Sequence, residues 1–81
     1  MDIYVGNLSY GATSDSLEKL FSKFGKIIRA NVVTERETGR SRGFGFVVME
    51  DTKQAQNAIE ELHNQDFMGR KLIVNQSKSR N

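Results

Sequence analysis

The chain has no cysteine, no proline, no tryptophan and a single histidine. Without cysteine there is neither a disulfide framework nor a thiolate metal site, and His63 alone cannot assemble a metal centre without several carboxylate helpers. No metal and no cofactor are expected. Long apolar runs are also missing. A membrane-spanning helix needs about 20 apolar residues and a secretory signal an apolar core of about 7–15, so the expectation is a soluble, cytoplasmic protein with no membrane attachment. Linker-like and low-complexity stretches are absent too, and 81 residues suffice for one domain and one small core. Lacking tryptophan, the chain has Tyr4 and Tyr10 as its fluorophores.

A strong excess of one charge is likewise missing. Twelve basic and ten acidic residues leave a net charge of +2, too little for binding nucleic acid by charge alone. The distribution says more. Lys26, Arg29, Arg36, Arg40 and Arg42 fall within residues 26–42, and Arg70, Lys71, Lys78 and Arg80 within 70–81, while Glu50, Asp51, Glu60 and Glu61 lie between them. Helix-surface patterning alone produces such segregation.

What is present alternates in period. Ile3–Val5 reads as a strand ended by Gly6-Asn7, with Ser9–Ala12 a loop. Leu17, Leu20, Phe21 and Phe24 recur at helical spacing, with Thr13 or Ser14 as N-cap and Gly25 placed for a left-handed C-cap. Ile27–Thr34 predicts a second strand, and 35–41 a charged hairpin loop turning at Thr38-Gly39. Gly43–Glu50 predicts a third strand. Asp51, with Gln54 three residues on, resembles a capping box before Ala55, Ala58, Ile59 and Leu62. A connector over 64–69 leads to the strand Leu72-Ile73-Val74. This order of two strand–helix–strand halves predicts an α+β, ferredoxin-like sandwich with a four-stranded antiparallel sheet. Right-handed crossovers put both helices on one face and leave the other open.

Alternation in the third strand separates Arg42, Phe44, Phe46 and Val48 from Gly43, Gly45, Val47 and Met49. Glycines that let helices approach, with Val47 and Met49 beneath them, assign the odd-numbered set to the core. Ile3 and Val5 go inward likewise, toward Leu17, Leu20, Phe21, Ile59 and Leu62. Tyr4, Phe44 and Phe46 then share the open face. The inverted assignment would turn two glycines to water and force four large residues into a space already filled. Contiguous exposed aromatics need a cover. With Arg42, Arg29 and Lys71 around them and Asn31 and Asn75 beside them, they suit stacked bases on a neutralised backbone.

At these residues the sequence resembles a known family. Arg42-Gly43-Phe44-Gly45-Phe46-Val47-Val48-Met49 is similar to the RNP1 segment of the RNA-recognition motif, and Ile3-Tyr4-Val5-Gly6-Asn7-Leu8 to its RNP2. Met49 departs from the usual Phe or Tyr, at a position that faces the core. The resemblance spans Met1 to about Ser77, with 78–81 a short basic tail, and the chain is similar to short bacterial single-motif RNA-binding proteins and to the same domain of plant glycine-rich ones. It implies that Tyr4 and Phe46 stack on bases, Phe44 lies against sugars, Arg42 pairs with a phosphate, and Asn75 to Lys78 read base edges. The candidate contact set is Tyr4, Asn7, Arg29, Asn31, Arg40, Arg42, Phe44, Phe46, Lys71, Asn75, Ser77 and Lys78. The expected partner is single-stranded RNA, with single-stranded DNA weaker, bound by a monomer.

Other readings carry less. An acylphosphatase-like enzyme needs an arginine in the loop after the first strand, and residues 6–12 contain no basic residue. A peptide-binding variant of the fold is the serious rival, although such domains usually lack intact sheet aromatics, and Tyr4, Phe44 and Phe46 are all present here. Gly43-Phe44-Gly45 is no dinucleotide loop, because Val48 stands at the third glycine position and no helix starts there. Asn7-Leu8-Ser9 and Asn75-Gln76-Ser77 fit a glycosylation sequon only by chance. His63 is expected on the surface near a helix end, Phe67 packed onto the second helix, and Tyr10 either packed in its loop or against RNA.

Overall fold

A computed structural model describes residues 1–77. In chain order the elements are β1 (Asp2–Gly6), α1 (Ser14–Ser22), β2 (Ile27–Thr34), β3 (Ser41–Met49), α2 (Thr52–Leu62), β4 (Asp66–Phe67), β5 (Arg70–Lys71) and β6 (Ile73–Gln76). Strands β2, β3, β1 and β6 lie side by side in that order, each neighbouring pair antiparallel, while β4 and β5 form a separate hairpin. This is the expected ferredoxin-like α+β arrangement. Both helices pack on one face of the sheet, where Ile3, Val5, Val32, Val47, Met49 and Val74 meet Leu17 and Phe21 of α1 and Ala55, Ala58 and Leu62 of α2. Among the described residues no polar side chain is buried.

Local chemistry sets the helix starts. Thr13 Oγ1 accepts from the Ser16 amide at 3.1 Å and Ser16 Oγ from the Thr13 amide at 2.8 Å, a reciprocal capping box that makes Thr13 the N-cap. Ser14 has another task, its hydroxyl accepting from the Val32 amide of β2 at 3.0 Å. At α2 the Asp51 carboxylate accepts from the Gln54 amide at 2.8 Å, but the Gln54 side chain turns toward Gly25. Gly25 is therefore not the left-handed cap its position suggests. Its φ of 159° is essentially extended, and α1 closes one step earlier, with the Phe24 amide donating to the Phe21 carbonyl at 3.0 Å.

Three further departures have physical causes. The connector contains the β4–β5 hairpin, turned by Met68 (φ 53°) and Gly69 (φ 86°). Both positive angles are what a two-residue hairpin turn of the right twist demands, and a methionine in the first position gives no sequence signal of one. Strand β3 begins at Ser41, two residues before the expected start. Finally, the inward glycines make room for strand and loop, not for helices. A Cβ at Gly45 would collide with the backbone of Asn31 and Val32 in β2, and Gly43, at φ 84°, lies against the Leu8 carbonyl and Tyr10. The register shift between Val32 and Thr34 runs through this region. A second shift, between Ile27 and Arg29, leaves Ile28 unpaired against β3 and turned out to solvent.

His63 is the C-cap of α2, and its Nδ1 accepts from the Val74 amide of β6 at 3.1 Å. The sequence places it correctly at the helix end but does not reveal this acceptor role.

Candidate nucleic-acid interface

The register of the sheet turns alternation into rows on the helix-free face. One row runs Asn31, Phe46, Tyr4, Asn75 across β2, β3, β1 and β6. A second aligns Arg29, Val48 and Asp2, and the Ser77 amide donates to the Asp2 carbonyl at its far end. A third brings Gly6 opposite Ile73, next to Phe44.

The three rings form one platform. Their centroids lie 6.0 Å (Tyr4–Phe44), 5.9 Å (Tyr4–Phe46) and 6.0 Å (Phe44–Phe46) apart, tilted or edge-to-face. Such edge-on contacts fix each ring's orientation and leave faces available to a planar ligand. Phe46 keeps 36% of its surface exposed even so. Gly6 seats the platform from below, because a Cβ there would come within 2.7 Å of the Tyr4 hydroxyl. The Arg42 guanidinium sits 6.0 Å from the Phe44 centroid, at the outer limit for cation–π attraction.

The basic residues around the platform are uncommitted. Among the described residues the only ion pair joins Lys26 and Glu50 at 3.5 Å, both largely exposed, so Arg29, Arg40, Arg42 and Lys71 hold no carboxylate. Arg29 stands on β2 in the open-face row, Arg40 in the hairpin loop before β3, and Lys71 on β5. Asn7 differs from the rest of the predicted set. Its Nδ2 donates to the Lys71 carbonyl at 2.6 Å and its Oδ1 accepts from Arg70 Nη2 at 2.7 Å and Nε at 3.2 Å. With φ at 56°, it staples the end of β1 to β5 and has little capacity left for a ligand. Lys78 lies outside the described residues.

Sequence reasoning passed over Ile73, which is 43% exposed beside Gly6 on this face. The signal was available, since Leu72 and Val74 are both buried and alternation puts Ile73 on the other side. Asp2, opposite Val48, is the one acid on this face among the described residues.

Comparison with known proteins agrees with this geometry. The family model for the RNA recognition motif matches residues 3–73. The chain is 51% identical to the putative RNA-binding protein RbpE of Nostoc over 99% of its own length and 81% of that protein's. It spans only 27–49% of the plant RNA-binding proteins CP29B, GRP2A and the carrot glycine-rich protein, at 45–46% identity. Among solved structures, RNA Binding Protein PG1 superposes with a TM-score of 0.96 at 54% identity, covering 100% of this chain and 98% of that one. The Sxl-lethal protein in complex with RNA gives 0.88 at 36% identity over 94% of this chain and 47% of that one. The RNP1-like and RNP2-like segments sit on the central strands β3 and β1 of the required fold, and the chain belongs to the RNA recognition motif family.

Proposed function

We propose that the chain binds single-stranded RNA across the open sheet face, with Tyr4 and Phe46 stacking on bases and Phe44 lying against sugars between them. The observation that carries this reading is the triangle of three rings about 6 Å apart on a face that no other element among the described residues covers. Spacing of that order suits successive nucleotides, and each stacked base contributes roughly 1–3 kcal/mol. Arg29, Arg40, Arg42 and Lys71 neutralise phosphates. Asn31 and Asn75, at the two ends of the Tyr4–Phe46 row, offer amide donors and acceptors to base edges. Ser77 and Lys78 continue the reading beyond β6. Single-stranded DNA binds more weakly, because Phe44 faces the sugar and senses the 2′-hydroxyl's surroundings. The protein acts as a monomer, which sedimentation at working concentration checks.

Tyrosine emission provides the test. Short single-stranded RNA should change the fluorescence of the Tyr4-containing platform with saturable dependence on concentration, and unrelated peptides should not. If peptides change it and RNA does not, the face serves protein recognition instead.

A further inference from the structure

The platform is not the only place on the molecule built for a flat, polar-edged ligand. Past the Phe44 end of the sheet, the loop after β1 and the hairpin joining β2 to β3 enclose an open cleft of about 720 Å³, lined by Tyr10, Glu35, Gly39, Arg40, Ser41 and Arg42. Its volume falls within the range of about 300–1,000 Å³ common to small-ligand sites. Tyr10 stands 74% exposed on its wall, so loop packing does not account for this ring. The loop that carries it is held in place, the Leu8 amide donating to the Gly43 carbonyl at 2.8 Å and the Ala12 amide to the Ser9 carbonyl at 3.0 Å. The opposite wall is similarly fixed, by the Glu35 amide to the Arg40 carbonyl at 2.8 Å and the Gly39 amide to the Glu35 carbonyl at 2.9 Å.

Two features tie the cleft to the sheet and suggest its occupant. Arg42 belongs to both, lining the cleft while its guanidinium lies 6.0 Å from the Phe44 ring, so a strand leaving Phe44 passes directly into it. Along its walls, Arg40 and Arg42 suit a phosphate and the exposed Tyr10 ring suits a base. The Glu35 carboxylate repels a phosphate, and the donors a nucleotide can offer it are a ribose hydroxyl or the edge of a base. One of its oxygens, Oε1, accepts from the Thr38 hydroxyl at 3.3 Å, which steadies the group. A carboxylate accepts hydrogen bonds only, and guanine alone among the four bases presents two adjacent donors, N1–H and the N2 amine, on its pairing edge.

We propose that this cleft is a further base-binding subsite, in which one additional nucleotide of the bound strand stacks on Tyr10 with guanine preferred through Glu35. The proposal rests on RNA binding at the sheet, so the experiment must separate the two. Hexauridine, six hexamers each with one guanosine in a uridine background, the matching inosine hexamers and a uridine dinucleotide are titrated against wild type, Tyr10→Ala, Glu35→Gln and Phe46→Ala, with thermal melts of each variant. Tyr10→Ala should weaken binding of the best guanosine hexamer by roughly tenfold, leave the dinucleotide unchanged and melt as wild type. Glu35→Gln should bring the best guanosine hexamer to the affinity of hexauridine, and inosine, lacking the N2 amine, should lie between them on wild type. If Tyr10→Ala binds hexamers as wild type does while Phe46→Ala does not, the subsite is refuted and the sheet reading stands. If neither substitution weakens binding, both fall. Equal loss for dinucleotide and hexamer in Tyr10→Ala, or a guanosine preference that survives Glu35→Gln, also overturns the proposal.

Discussion

Residues of one chemistry do opposite work here, and the sheet's two faces decide which. Tyr4 and Phe46 lie on the open face, whereas Phe21 is fully buried between α1 and the sheet. Tyr4→Ala and Phe46→Ala should each weaken RNA binding by roughly 1–3 kcal/mol and change the melting temperature little. Phe21→Ala removes a core ring, a loss that typically costs about 3–5 kcal/mol and is a large part of the stability of a small domain. It should leave the protein mostly unfolded by circular dichroism. An unfolded Phe46→Ala beside a stable Phe21→Ala would mean that the faces are inverted. A finer test uses Gly6, over which the Tyr4 ring folds. A methyl group there meets only the far end of a side chain, so Gly6→Ala should fold normally. The displaced ring should stack less well, and RNA affinity should fall part of the way toward that of Tyr4→Ala in the same titrations.

Among the elements, the joints between strands are the places where substitution should unfold without touching RNA. Gly45 abuts the backbone of Asn31 and Val32, which cannot swing aside as a side-chain tip can. Gly45→Ala should therefore lower the melting temperature strongly by forcing β2 from β3, with an expected cost of about 1–3 kcal/mol for such overpacking. His63→Ala should lower it more modestly, because the Val74 amide loses its acceptor and a stranded backbone donor costs about 1–3 kcal/mol where water cannot reach it. These joints also mark how far the sequence could be read. Periodicity locates both helices and the four strands of the sheet, β2 to the residue and the others to within two residues at each end, since Leu17, Phe21, Ala55, Ala58 and Leu62 mark α1 and α2, and the parity of Tyr4, Phe44 and Phe46 marks the open face. Long-range pairings stayed hidden. Nothing local announces that His63 meets Val74, that Asn7 meets Arg70, or that a bulge sends Ile28 outward, because each depends on which strand lies alongside. The β4–β5 hairpin was missed for the opposite reason, its two-residue strands being too short to show a period.

On the scale of the whole molecule, the proposed binding mode balances a flat aromatic surface against a few cations. With a net charge of only +2, the protein has no long-range field strong enough to capture nucleic acid unaided, so the proposed mode draws its affinity from stacking with a modest electrostatic addition. A single open sheet accommodates about two to four nucleotides, which puts the expected dissociation constant nearer micromolar than nanomolar. If Arg29, Arg40, Arg42 and Lys71 neutralise about two to four phosphates, log K should fall against log salt with a slope of about −1.4 to −2.8, at roughly −0.7 per phosphate on a single strand. The contribution that survives at high salt is the stacking one. Duplex RNA of the same sequence has its bases already stacked on each other and offers the rings no face, so it should bind distinctly more weakly at every salt concentration. Anisotropy titrations of single strand and duplex across a salt series measure both quantities at once. A slope near zero would mean that the cations do not touch RNA, and equal affinity for duplex and single strand would mean that the rings do not stack on its bases.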